Sequence, residues 1–217
     1  MADHVFGNPR FYDRRAAAYD AMVSSPLYNR IAWGTHPDDY AAFAARAMGS
    51  ARGPLLEVAA GTASATAVLH VASGRETTLV DLSRPMLARA ERAIARAAGG
   101  TVPARIRFEC RDLLVPIDGA HYETILGLGL LHLVDDVPGL VDGLAAQLEP
   151  GGALYLASLV TGSRLSTAYL NLLHRRGEVA AVRSAVQLRA AVARSRMRDV
   201  TVTGRGSMAY VIARSQP

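Results

Sequence analysis

The stretch Leu55-Leu56-Glu57-Val58-Ala59-Ala60-Gly61-Thr62-Ala63-Ser64-Ala65-Thr66 constrains the fold more than any other part of the 217-residue chain. It reads as a short apolar strand, a tight turn of small residues and the start of a helix over about 62–72. Pro54 limits the start of the strand, because proline cannot donate to a sheet ladder. Ala59, Ala60, Gly61 and Ala63 keep the turn narrow, so a ligand can come close to the backbone. Thr62 or Ser64 can cap the helix. Glu57 is a carboxylate at the end of an otherwise apolar strand, and burying it is costly unless a partner compensates. Open α/β sheets bind ligands at the carboxyl ends of their strands, so a binding site is expected at this turn.

Half of the residues are hydrophobic, enough for a sizeable core, and one domain is the natural count. No apolar run approaches the roughly 20 residues that span a bilayer. The start of the chain carries no charged-then-apolar signal pattern, so a cytoplasmic protein with no membrane partner is expected. Cys110 is the only cysteine, which rules out a disulfide within the chain and argues against a cysteine-based metal site. All 24 basic residues are arginine, which excludes a Schiff-base lysine or a lysine general base. The net charge of +5 is compatible with anionic partners. However, Arg89, Arg92 and Arg96 recur at helical spacing, and Arg189, Arg194, Arg196 and Arg198 are similarly spread. Such spacing describes solvated faces, so nucleic acid is not the expected partner.

A second β-rich run, Thr77–Asp81, ends in an acid twenty residues past Gly61. A carboxylate there can accept hydrogen bonds from both hydroxyls of a ribose. Ser83 and Pro85 suit the first turn of a helix over 84–98. Further strands are expected at 105–110, 122–128 and 153–158, with a helix from Asp136 and Pro138 to Leu148 and a tight turn at 149–152. A helix over 184–195 and a hairpin of strands 200–203 and 209–213 close the chain. Two helices, over 9–24 and 37–48, precede the first strand. Residues 59–64 lack the Gly-x-Gly-x-x-Gly of a nicotinamide-binding turn, which makes that cofactor the weaker reading.

Glu57-Val58-Ala59-Ala60-Gly61-Thr62 resembles motif I of the class I S-adenosylmethionine-dependent methyltransferases, with Ala59 and Ala63 at two of its usual glycines. The methyl group of Ala63 is expected to point toward the space for the cofactor's methionine part. Val80-Asp81-Leu82-Ser83 with Met86-Leu87 resembles the next motif, and Leu148-Glu149-Pro150-Gly151-Gly152 the turn before the fifth strand. Phe11-Tyr12-Asp13 with Ala18-Tyr19-Asp20 resembles an N-terminal helix that covers the active site in small-molecule members. The resemblance runs over about residues 11–213. It implies a doubly wound, seven-stranded, mostly parallel α/β sheet with an antiparallel C-terminal hairpin. Residues 1–50 would form a helical lid and 51–217 the cofactor-binding core.

The resemblance also implies site residues. Tyr19, Glu57, Ala59, Gly61, Asp81, Leu82, Met86, Asp112, Leu113 and Gly127 are the expected contacts of S-adenosylmethionine, whose product would be S-adenosylhomocysteine. Asp81 would hold the ribose, Met86 would pack by the adenine, and Asp112 with Leu113 would bond its edge. The chain lacks the residues of several branches of the family: an Asn/Asp-Pro-Pro-aromatic turn, a nucleophilic cysteine, a catalytic lysine and an Asp/Asn cluster for Mg²⁺. Leu131-His132-Leu133 instead resembles a segment of small-molecule methyltransferases, and His132 is the one candidate general base. The same histidine could equally be a packed, hydrogen-bonded one. Trp33, His36 and Tyr169 are candidates for the substrate wall, and His174 lies on the same helical pattern as Tyr169. The expectation is metal-independent O- or N-methylation of a small molecule, mainly by proximity. Two alternatives stay open: a cofactor-binding protein that catalyses another reaction, such as a cyclisation, and an RNA methyltransferase. The sequence fixes neither the methyl acceptor nor the oligomeric state, a homodimer included.

Overall fold

A computed structural model of the chain describes residues 29–113, 115, 117, 119 and 121–216. The helix expected over 9–24, Tyr19 included, lies outside the described residues. Seven strands form one sheet: β1 (Leu55–Val58), β2 (Thr77–Asp81), β3 (Ile106–Cys110), β4 (Tyr122–Gly127), β5 (Leu148–Leu159), β6 (Arg198–Arg205) and β7 (Met208–Arg214). Their order is β3-β2-β1-β4-β5-β7-β6. The first five strands run parallel, and β7 lies antiparallel between β5 and β6. This is the doubly wound sheet with a C-terminal hairpin that the sequence suggests. The order reverses between β1 and β4, where such sheets open a crevice above their carboxyl ends.

The helices are α1 (Pro37–Met48), α2 (Ala67–Ser73), α3 (Arg84–Ala97), α4 (Val137–Ala145), α5 (Arg164–Arg175) and α6 (Ala185–Val192). β1 is buried along its whole length, as a central parallel strand covered on both faces must be. Leu56 and Val58 pack with α4 and α6, around Ile125, Leu144, Leu154 and Leu188. Leu55 packs on the other face with Phe43 and Ala47 of α1. Ser83 caps α3 by accepting from the Met86 amide at 3.3 Å, and Asp136 caps α4 from the Gly139 amide at 3.0 Å.

Three boundaries differ from the sequence reading. The helix expected from about 62 begins at Ala67, and neither Thr62 nor Ser64 caps it. Ala59, Gly61 and Ala63 all have positive φ, and this winding turn consumes residues that a helix would have used. The helix expected to reach Leu148 ends at Ala145, and β5 begins at Leu148, so the Glu149–Gly152 turn lies inside the strand span as an irregularity opposite β4. Gln147 enforces this break: its buried amide donates to the Leu113 carbonyl at 3.2 Å.

Two contacts tie the N-terminal segment to the sheet. The fully enclosed Arg75 guanidinium donates to the carbonyls of Ala47 and Met48 at the end of α1, to those of Gly53 and Pro54, and to Thr124 Oγ1 at 3.1 Å. At the opposite end of α1, the β6–β7 turn presses on Trp33 and Gly34. There the Ser207 amide donates to the Trp33 carbonyl at 2.7 Å, and Gly206 has no room for a side chain. Arg205 adds an ion pair to Asp39 at 2.9 Å. Among the described residues no helix is long and apolar enough to cross a membrane.

Candidate functional site

The carboxyl ends of β1, β2 and β4 carry the expected residues side by side. Val58 pairs with Val80 on one side and Gly127 on the other. Beyond Val58 the backbone turns through left-handed conformations at Ala59 (φ 50°), Gly61 (φ 55°) and Ala63 (φ 52°). For alanine each such residue costs about 1–2 kcal/mol, so surrounding structure has to hold the turn. Ala63 does not point into a ligand space as expected. It is buried among Ala60, Ala67, Leu79 and Leu87, so its methyl packs into the protein and leaves the crevice clear.

Asp81 joins the two ligand-side turns. Its Oδ2 accepts the Gly61 amide at 2.8 Å and its Oδ1 the Ser83 amide at 2.8 Å. The carboxylate therefore fixes the β1–α2 and β2–α3 turns relative to each other. Leu82 next to it is 40% exposed, and Val115, past the end of β3, is 51% exposed. These two leave apolar surface uncovered beside Asp81 and Asp112. Met86 and Leu113 are buried. Asp112 is half-buried, and its carbonyl accepts the Val115 amide at 3.1 Å.

Glu57 is placed differently. It is almost fully buried and faces α2, where Oε1 accepts the Thr66 hydroxyl at 3.2 Å and Oε2 pairs with Nε2 of His70. Gly127 sits where three side chains converge: an added Cβ would lie 3.0 Å from Leu156, 3.1 Å from Val58 and 3.2 Å from Leu130.

After β4 the chain turns at Gly129 (φ 68°) into a single helical turn, Leu131–Leu133. His132 is buried there, and Nδ1 accepts the Leu159 amide at 3.3 Å. Burial, and then the positive charge of Arg183, push its pKa from 6.5 to about 4. The ring is neutral at ordinary pH. With Nδ1 accepting, the single ring proton belongs on Nε2, which is thus a hydrogen-bond donor. The His132 carbonyl accepts the amide of Ala180 at 2.9 Å, so the segment after α5 is fastened to this turn.

The three candidate wall residues separate. Trp33 and Tyr169 meet, with ring centroids 5.2 Å apart, over Leu170 and Val179. His36 instead caps α1, accepting the Asp38 amide at 3.3 Å, with its side chain largely in solvent. His174 lies at the end of α5 with Nδ1 against the Val179 carbonyl at 2.9 Å. Among the described residues no three His, Cys, Asp or Glu side chains gather as metal ligands would.

Sequence reasoning missed Tyr40 and His70. The Tyr40 hydroxyl lies 3.6 Å from Met208 Sδ and 3.8 Å from where a side chain on Gly129 would begin; His132 lies 3.9 Å from that same point. Nothing in the sequence relates α1 to that turn. His70 was legible in principle, since Thr66 and His70 are four residues apart and share a helix face toward Glu57.

The family described as a methyltransferase domain matches residues 56–154. No curated protein sequence matches the chain. Solved structures do resemble it. One is Haemonchus contortus phosphoethanolamine N-methyltransferase 2 with phosphomonomethylethanolamine and S-adenosylhomocysteine (TM-score 0.73, 13% identity, 96% of this chain, 58% of that one). A second is the DhpI complex with S-adenosylhomocysteine (TM-score 0.67, 20% identity, 96% and 95% covered). A third is the N-methyltransferase NodS from Bradyrhizobium japonicum with S-adenosylhomocysteine (TM-score 0.67, 16% identity, 96% and 98% covered). The chain thus spans a little over half of the nematode protein and nearly all of the other two.

Proposed function

We propose that this chain is a class I S-adenosylmethionine-dependent methyltransferase that moves a methyl group from S-adenosylmethionine to an oxygen or nitrogen of a small molecule. The observation that carries this reading is the Asp81 carboxylate, set between the Gly61 and Ser83 amides at the switch point of the sheet. In doubly wound sheets an acid at this place, past the end of the second strand, accepts the ribose hydroxyls of a bound nucleotide. The uncovered Leu82 and Val115 suit an adenine, with Met86 behind it and Asp112 and Leu113 at its edge. Ala59, Gly61 and Gly127 allow the backbone to approach, and Tyr19 is kept as a proposed contact from the lid. The residues present therefore fit the cofactor.

When bound, S-adenosylmethionine supplies a sulfonium methyl that needs little activation. The protein's part is placement and the exclusion of water. Trp33 and Tyr169 form an apolar wall for the acceptor. His132 offers Nε2–H to an acceptor lone pair and so orients it; while Nδ1 holds the Leu159 amide, the neutral ring has no free nitrogen to take a proton. The reaction we propose runs mainly by proximity, with His132 placing the acceptor rather than taking its proton.

The test is calorimetric titration with S-adenosylmethionine and S-adenosylhomocysteine, followed by a screen of small hydroxy and amino compounds for S-adenosylhomocysteine release. The expected result is a dissociation constant of about micromolar order for the wild type, weakened by about tenfold or more in Asp81→Ala. Absence of binding by folded wild-type protein overturns the reading.

A further inference from the structure

We infer that Glu57, Thr66 and His70 form a buried bolt that holds the β1–α2 turn in its ligand-ready shape, with His70 as a positioning residue for the cofactor site. This rests on the cofactor reading above. The acid of motif I is the residue that the sequence points toward the ligand. In this chain both of its oxygens are spent inside the protein, on Thr66 and His70.

All three members are sealed. Glu57 is 2%, Thr66 1% and His70 0% exposed. Glu57 stands on the last turn of β1, while His70 stands in the middle of α2, so the pair fastens the helix to the strand on either side of the turn. Thr66 occupies the N-cap position of α2, and its hydroxyl donates to Glu57, with the Ala63 carbonyl a longer alternative acceptor at 3.5 Å. Within the bolted span lie the two left-handed alanines, Ala59 and Ala63. Strained backbone of this kind persists only where its surroundings over-determine it. The Asp81–Gly61 hydrogen bond holds the middle of the turn, and the Glu57–His70 pair holds its two ends. Among the described residues His70 Nδ1 has no partner, and the bond to Glu57 is the one that keeps the ring in place.

The experiment compares Glu57→Gln, Thr66→Val and His70→Gln for melting temperature and for affinity toward S-adenosylhomocysteine. The bolt predicts that all three lose affinity, by about threefold or more, in the same order in which they lose melting temperature. Thr66→Val and His70→Gln leave the Glu57 carboxylate intact. If they bind like the wild type while Glu57→Gln loses affinity, Glu57 is a direct ligand and the inference falls. If all three bind like the wild type despite lower melting temperatures, the network is structural only and the inference also falls. Should a variant fail to fold, the histidine ring N–H signals of the ¹⁵N-labelled wild type decide. A far-downfield, slowly exchanging N–H is expected from His70, present alike in the free and the S-adenosylhomocysteine-bound protein; its absence from the free protein, or its loss on binding, overturns the bolt. Wild-type protein that shows this signal but binds no S-adenosylhomocysteine would overturn the cofactor reading instead.

Discussion

The Leu159 amide donates to Nδ1 of His132 at 3.3 Å, and this one bond joins the end of β5 to the turn after β4. It also makes that turn sensitive to acid. The pKa of His132 in the folded protein is about 4, below its ordinary 6.5. Between these values the unfolded chain takes up a proton that the folded protein refuses, so stability falls as pH falls. Above about pH 6.5 the group contributes no pH dependence, and below it the slope is at most about 1.4 kcal/mol per pH unit. Urea denaturation at pH 7 and pH 5 should show the wild type losing about 2 kcal/mol through this residue. His132→Asn should remove that share of the difference, and an unchanged difference would refute the assignment.

Arg75 should be among the least replaceable residues of the chain. It is 3% exposed, and its guanidinium serves five acceptors on α1, the segment before β1, and β4. Arg75→Met leaves the end of α1 without its hydrogen-bond donors and should cost about 3 kcal/mol or more. Arg75→Lys should recover little, because an ammonium cannot span acceptors fanned out for a planar fork. Urea unfolding of both variants measures this.

The two left-handed alanines should respond differently to glycine. Relief of strain is worth about 1–2 kcal/mol at each, against about 0.4–1 kcal/mol for the greater freedom of the unfolded glycine chain. Ala59 is half-buried, so Ala59→Gly should stabilise by about 0.5–1 kcal/mol. Ala63 is 4% exposed, and loss of its methyl removes a further ~0.8 kcal/mol, which leaves Ala63→Gly close to neutral. Melting temperatures of the two variants test the ordering.

Gly127 should not tolerate a side chain. The added Cβ of Gly127→Ala would stand 3.0–3.2 Å from Leu156, Val58 and Leu130, tighter than ordinary packing. The three side chains must shift at the point where β1 and β4 part, which should cost about 1–3 kcal/mol. The same variant should weaken S-adenosylhomocysteine binding, and thermal melts with and without that ligand would separate the two effects.

Much of this architecture was legible because it depends on local chemistry. Ser83 before one helix and Asp136 before another are residues whose role follows from their neighbours, and each caps its helix in the structure. The misjudged features depend on partners distant in sequence. Thr62 and Ser64 looked like caps, but the left-handed backbone at Ala59 and Ala63 delays the helix beyond both. Gln147 ends α4 early because it has a carbonyl to reach at Leu113, thirty-four residues away. Tyr40 comes close to Gly129 because α1 packs on the sheet, held at one end by Arg75 and at the other by β7 and Arg205. Trp33 and Tyr169 were named separately as wall residues, and only the tertiary fold makes them neighbours.

The grip of the β6–β7 turn on Trp33 and Gly34 sets an order of events during synthesis. The segment around Trp33 is made well before the Ser207 amide that holds it. Until then the sheet lacks β7, and the segment has no acceptor-to-donor partner at that position. Contacts of such high sequence separation form late and slowly. The growing chain would therefore assemble the parallel half of its sheet before the segment around Trp33 is fastened to it. A chain cut short before the hairpin would keep the strands that carry Asp81 and its two turns while losing the bond that holds Trp33.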